Sequence, residues 1–131
     1  MKNFEVIYKN NISYGVFPVL TKAGFVNACS CRKNGESDIV AGTLNLALHV
    51  GDDVEKVLRN RKAFAEAIGV DASRFTTCQQ VHGSKIVRVT EELIGSGRKI
   101  LSILSLILMR SLLTFLTYLC SYFTQTAYQY S

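Results

Sequence analysis

Charge is distributed so unevenly along this 131-residue chain that it cannot be read as one uniform sequence. All ten acidic residues and fourteen of the fifteen Lys and Arg fall within residues 1–99, whereas residues 100–131 carry one charged side chain, Arg110. A chain of this length builds one ordinary domain and not two. The hydrophobic fraction of 48% is at the upper end for a globular protein. The split explains it: a normal charged globular sequence is followed by a segment of foreign composition.

The pattern of residues 1–99 predicts an α+β fold, with a mixed or antiparallel sheet and a packed helix at about residues 53–68. Residues 3–8 alternate apolar and polar in the manner of a half-buried strand. Residues 14–19 read as a second strand that Pro18 brings to an end, and residues 24–32 as a third, largely buried one. Residues 33–37 read as a loop through Asn34-Gly35, and residues 43–50 as a further strand stopped by Gly51. The clearest element is the helix. Asp52 is expected to cap it with Glu55 three residues on. Val54, Val57, Leu58, Phe64, Ala65 and Ile68 recur at helical spacing, and Gly69 terminates. Residues 75–81 and 84–90 read as strands on either side of His82-Gly83, and Gly95-Ser96-Gly97 as a loop.

The net charge of +5 comes from scattered basic residues. Arg59, Arg61 and Lys62 sit beside Glu55 and Glu66 on the predicted helix, which reads as a solvated face. Specific nucleic-acid binding needs clustered positive charge and is not expected. The four cysteines are Cys29, Cys31, Cys78 and Cys120. Residues 1–19 lack the continuous apolar run of a signal peptide, so reduced thiols in a cytoplasmic setting are expected. Cys29 and Cys31 read as a half-buried pair of small residues on one face of a strand rather than a metal site.

His82, at the end of an apolar strand and beside a glycine, has the chemistry to ligate zinc or copper or to transfer a proton. A hydrogen-bonded structural histidine fits the same position. One His does not make a metal site, since catalytic zinc takes about three protein ligands. His49 is the only other His.

Taken in order, Cys31-Arg32-Lys33-Asn34-Gly35-Glu36-Ser37, residues 43–53 (Thr-Leu-Asn-Leu-Ala-Leu-His-Val-Gly-Asp-Asp), Asn60-Arg61 and Gln80-Val81-His82-Gly83 resemble the laccase-domain (YfiH-type) family. That family was long labelled multicopper polyphenol oxidase and is now regarded as purine nucleoside phosphorylases that also have adenosine deaminase activity. The resemblance covers residues 3–99 and implies part of the family's layered αββα fold. It implies a purine nucleoside and phosphate as substrates and zinc (or copper) as the metal. His82 would be the first of three ligands, the others being a Cys in an A-D-C motif and a His in an H-A-G-W motif. Arg32, Asn45 and Gln80 would lie near the substrate. Arg32 could hold phosphate through its planar fork or be an ordinary exposed loop Arg, Asn45 could instead satisfy backbone groups, and Gln80 could be a pocket wall or a buried hydrogen-bonding residue. Copper-dependent phenol oxidation would need several metal ions and many His ligands.

After Lys99 the family motifs are missing, and Cys120, in a Tyr-Leu-Cys-Ser-Tyr context, does not match A-D-C. A small membrane-tethered or interaction module held by residues 100–131 is the alternative, but Ser and Thr recur through the tail and Arg110 interrupts its most apolar stretch, so a membrane anchor is a poor fit. Reverse translation suggests another origin. Read in the neighbouring frame, Leu108 through Leu113 can encode D-A-L-V-T, and Thr124 through Gln129 can encode A-D-C-V-P. Both are motifs of the family, in the expected order. The expectation is that residues 100–131 are an out-of-frame, aggregation-prone tail, and that the chain is a truncated and inactive copy.

Overall fold

The computed structural model describes residues 3–77 and 90–96. Asn10 and Asn11, at φ 51° and 64°, form the two-residue turn that sets the sheet. A turn of this hand matches the twist of the flanking strands. It joins β1 (Glu5–Lys9) to β2 (Ile12–Val16) in antiparallel register, with Lys9 opposite Ile12 and Glu5 opposite Val16. The short β3 (Cys29–Ser30) completes a three-stranded antiparallel sheet in the order β1-β2-β3.

The second strand therefore starts and stops earlier than expected. Pro18 opens a helix, α1 (Pro18–Lys22), because its fixed φ and missing N–H suit the first helical turn. Of residues 24–32, only Cys29–Ser30 is strand. Asn27 turns the chain before it, accepting from Phe17 N at 2.6 Å and donating to Thr21 Oγ1 at 3.1 Å. Cys29 and Cys31 are both half-buried, as expected, although Cys31 lies just past the strand; both are free thiols. Burial, and then the neighbouring Cys31, push the Cys29 thiol above its ordinary pKa.

The expected loop at residues 33–37 is a strand, β4 (Lys33–Ser37). Lys33 and Ser37 both bridge to Thr43, so β4 wraps that residue. Asn34 takes the left-handed conformation, at φ 69°. Gly35 passes so close to the backbone of Thr43 and Leu44 that a Cβ would not fit. Residues 44–50, expected as strand, are irregular. Side chains hold the carbonyls of Asn45 and Leu46 and both backbone groups of Ala47 in place of a ladder.

The long helix α2 (Val54–Ile68) lies where its periodicity put it. Asp53, not Asp52, is its cap, accepting from Lys56 N at 3.0 Å. Gly69 ends it in the left-handed conformation at φ 76°. Its buried face is Val57, Asn60, Arg61, Phe64, Ala65 and Ala67, whereas Val54 is exposed. Ile12, Tyr14 and Val16 of β2 meet Leu44, Leu46, Phe64, Ala65, Ala67 and Phe75 in the core. Tyr14 stands edge-on to the Phe64 ring at 6.4 Å, and its hydroxyl donates to Ala67 O at 3.3 Å.

Residues 72–74 form a 3-10 turn, Ala72–Arg74, in front of the segment expected as strand 75–81. Thr77 N donates to Ser96 O at 2.9 Å, and Thr76 Oγ1 donates to Leu93 O at 3.2 Å. The remainder of that segment, the expected strand 84–90 up to residue 89, Cys78, Cys120 and the tail lie outside the described residues. The described residues make a small α+β structure with an antiparallel sheet. Among them no helix is long and apolar enough to cross a membrane.

Candidate functional site

Polar side chains concentrate where α2 faces β4 and the irregular segment that follows it. Asn60, on the second turn of α2 and 2% exposed, spends its whole amide on that segment. Its Oδ1 accepts from Glu36 N at 2.8 Å. Its Nδ2 donates to Asn45 O at 3.0 Å and to Thr43 O at 3.4 Å. The next residue, Arg61, donates through Nε to Leu46 O at 2.7 Å. Burial lowers the Arg61 guanidinium to about 10, so it is still charged at neutral pH. Arg61 is thus buried, against the solvated position expected for it: one turn before Phe64, its head serves a carbonyl that the loop could not otherwise satisfy.

Asp52 closes the other side. Its Oδ2 accepts from Ser37 Oγ at 2.5 Å and from Asn45 Nδ2 at 2.8 Å. Its Oδ1 accepts from Asp53 N at 2.9 Å and from Asp38 N at 3.4 Å. Desolvation pushes this carboxyl up, but the hydrogen bonds from Ser37, Asn45, Asp53 and Asp38 outweigh it and hold the group below its ordinary pKa. Asn45 is half-buried, donates also to Ala47 O at 3.1 Å, and accepts from Ala47 N at 2.9 Å. Outside this network, ion pairs Lys56–Asp38 and Arg59–Glu36 tie α2 to β4 and the turn after it at the exposed rim.

Arg32 precedes β4, with its side chain exposed. Its carbonyl accepts from Leu44 N at 2.7 Å, which sets it one residue from Asn45 across the pairing. Only the backbones of these two expected substrate residues are thereby neighbours, while the Asn45 side chain turns to Asp52 and Ala47. Gln80 and His82 lie outside the described residues, and His49 is exposed on a turn. Among the described residues no group of three or more His, Cys, Asp or Glu could hold a metal ion.

Sequence reading missed Asp52 as the hub that holds Ser37 and Asn45, and Asn60 and Arg61 as the buried donors to the carbonyls of residues 43, 45 and 46. A signal existed: Asn60 and Arg61 stand three and four residues after Val57 and on the same stripe as Phe64, where polar residues need a buried partner.

The Multi-copper polyphenol oxidoreductase laccase family profile matches residues 26–104, and the chain belongs to this family. It is similar to the purine nucleoside phosphorylase YlmD of Geobacillus stearothermophilus, with 40% identity over 75 residues, which are 57% of this chain and 27% of that protein. It is 40% identical over 60 residues to the purine nucleoside phosphorylase Rv2149c of Mycobacterium tuberculosis, covering 46% of this chain and 24% of that one. The crystal structure of YlmD superposes with a TM-score of 0.52 at 38% identity, over 55% of this chain and 27% of that one. The structure of YfiH from Bacillus licheniformis gives 0.52 at 26% identity, over 69% and 29%. The chain spans about a quarter of the length of these relatives.

Proposed function

We propose that residues 1–99 are the N-terminal part of a purine nucleoside phosphorylase domain, with purine nucleoside and phosphate as its ligands. The observation that carries this is the 40% identity to YlmD, together with the pairing of Arg32 and Leu44 that sets Arg32 beside Asn45. The guanidinium of Arg32 has the planar fork that suits a phosphate oxygen pair. In this reading Asn45 and Gln80 line the nucleoside side, and deamination of adenosine is a second reaction of the same site.

His82 as the first metal ligand, and zinc (or copper) as the metal, rest on the family resemblance. The described residues do not by themselves fit a metal, since none of their acidic, Cys or His side chains gather in threes. No step of the present reading passes through one.

Residues 100–131 are read as an out-of-frame tail, so that the A-D-C and H-A-G-W motifs are missing and the chain is a truncated copy with little or no activity. The test is release of hypoxanthine from inosine and phosphate by the purified chain. Turnover above background is not expected. Turnover that disappears in His82→Ala would overturn the inactive reading while supporting the family reaction.

A further inference from the structure

We propose that β1 is a self-pairing edge: two copies of this chain associate by antiparallel pairing of β1 with itself, about a two-fold axis at Ile7.

The backbone makes this possible. Among the described residues β1 has a neighbouring strand on one side only, β2. Along an antiparallel pair, residues that exchange both backbone hydrogen bonds alternate with residues that turn away. Ser13 O accepts from Cys31 N at 2.9 Å, so Ser13 serves the β3 side and not β1. Ser13 lies opposite Tyr8, and Gly15, two residues on, lies opposite Val6. The alternation therefore points the N–H and C=O of Val6 and Tyr8 to the outer edge, while Glu5, Ile7 and Lys9 bond to β2. The Val6 and Tyr8 side chains are also open to solvent, at 66% and 65% exposure. With Ile7 opposite Ile7 of a second copy, Val6 faces Tyr8 of that copy, and their outward groups meet as a hydrogen-bonded pair. On the other face, Ile7 lines an apolar groove of about 540 Å³ with Tyr14, Val16, Phe25, Val26 and Ile68. Pairing sets Ile7 of the second copy beside that wall.

The charges choose the register. In this one Glu5 stands opposite Lys9 of the second copy, and Lys9 opposite its Glu5. Both contacts fall at non-hydrogen-bonded positions, where side chains approach most closely. Opposite charges directly across stabilise a pair of strands and like charges weaken it. A shift by two residues puts Glu5 or Lys9 opposite Ile7, and parallel pairing puts Glu5 beside Glu5. Among the described residues no ion pair occupies either charge. Charge on an edge strand normally keeps other strands away. Here the two charges are complementary to themselves under a two-fold, so they admit a second copy in one orientation.

The test is size-exclusion chromatography with light scattering on the full chain, carried as a fusion to a monomeric soluble protein. The unaltered fusion should form a dimer that dissociates on dilution. Glu5→Lys or Lys9→Glu alone sets like charges across both contacts and should weaken the dimer by about tenfold or more. The double variant should restore it, and an equimolar mixture of the two single variants should form the mixed dimer. Association through residues 100–131 would ignore these charges, so a dimer unchanged in the single variants overturns the proposal. An unaltered fusion that stays monomeric up to about 1 mM overturns it too, and is the result expected where another segment or another partner covers β1. If a single variant loses the fold, salt decides on the unaltered fusion. The dimer should weaken as sodium chloride rises, and association that is indifferent to salt or strengthened by it overturns the proposal.

Discussion

Asn60 shows how much one buried amide can hold. It satisfies Glu36 N, Thr43 O and Asn45 O from the middle of a helix, so an apolar replacement leaves those groups stranded. Asn60→Leu should destabilise the fold by about 3 kcal/mol, since each buried polar group left unpaired costs about 1–3 kcal/mol. Lys62→Ala, on the exposed side of the same helix, should change stability by less than about 0.5 kcal/mol. Urea midpoints compare the two. Asp52 makes a different prediction, through pH. Its folded pKa is below the ordinary 3.8, so the unfolded chain takes up its proton first as pH falls. Its contribution is complete above the unfolded value and is lost as pH drops from about 4 through the lower folded value. Acid titration of stability should show this loss in the wild type and a flatter limb in Asp52→Asn. A wild-type curve with no slope of that origin below about pH 4 would contradict the network.

At the scale of elements, α2 was legible because three independent signals agree: a capping aspartate, an apolar stripe and a terminal glycine. The choice between Asp52 and Asp53 was not legible, since either can cap. What decides is that Ser37 and Asn45, distant in sequence, claim Asp52. The same cause hid residues 43–50. Their apolar content reads as strand, but Asn60 and Arg61 take their carbonyls, and no sequence window contains both partners. β4 was hidden by Asn34-Gly35, whose turn chemistry is real at φ 69° yet sits within a strand wrapped on Thr43. Of the expected site, the backbones of Arg32 and Asn45 are neighbours through the Arg32–Leu44 pairing, which the alternation of residues could not show. The helix ends give a direct check. Asp53→Ala should cost about 1 kcal/mol through the lost cap. Gly69→Ala should cost about 1–2 kcal/mol through left-handed strain. Thermal or urea unfolding reads both, and equal stability of either variant with the wild type would contradict the cap geometry.

Across the whole molecule, the described residues form an α+β unit that matches about a quarter of its relatives' length. Among the described residues, β1 is exposed at every position and lies at the edge of the sheet. Such an edge is normally covered or charged. β1 is charged at both ends, by Glu5 and Lys9. The proposal that the family's second half is out of frame here is tested apart from the fold. Direct sequencing of the coding region from codon 95 to codon 131 is the most direct measurement of that claim. The expected result is a one-base offset near Lys99, with bases that spell A-D-C-V-P in a neighbouring frame opposite Thr124 through Gln129. DNA that yields no such motif in either alternative frame would contradict it, and residues 100–131 would then be the intended product of the gene.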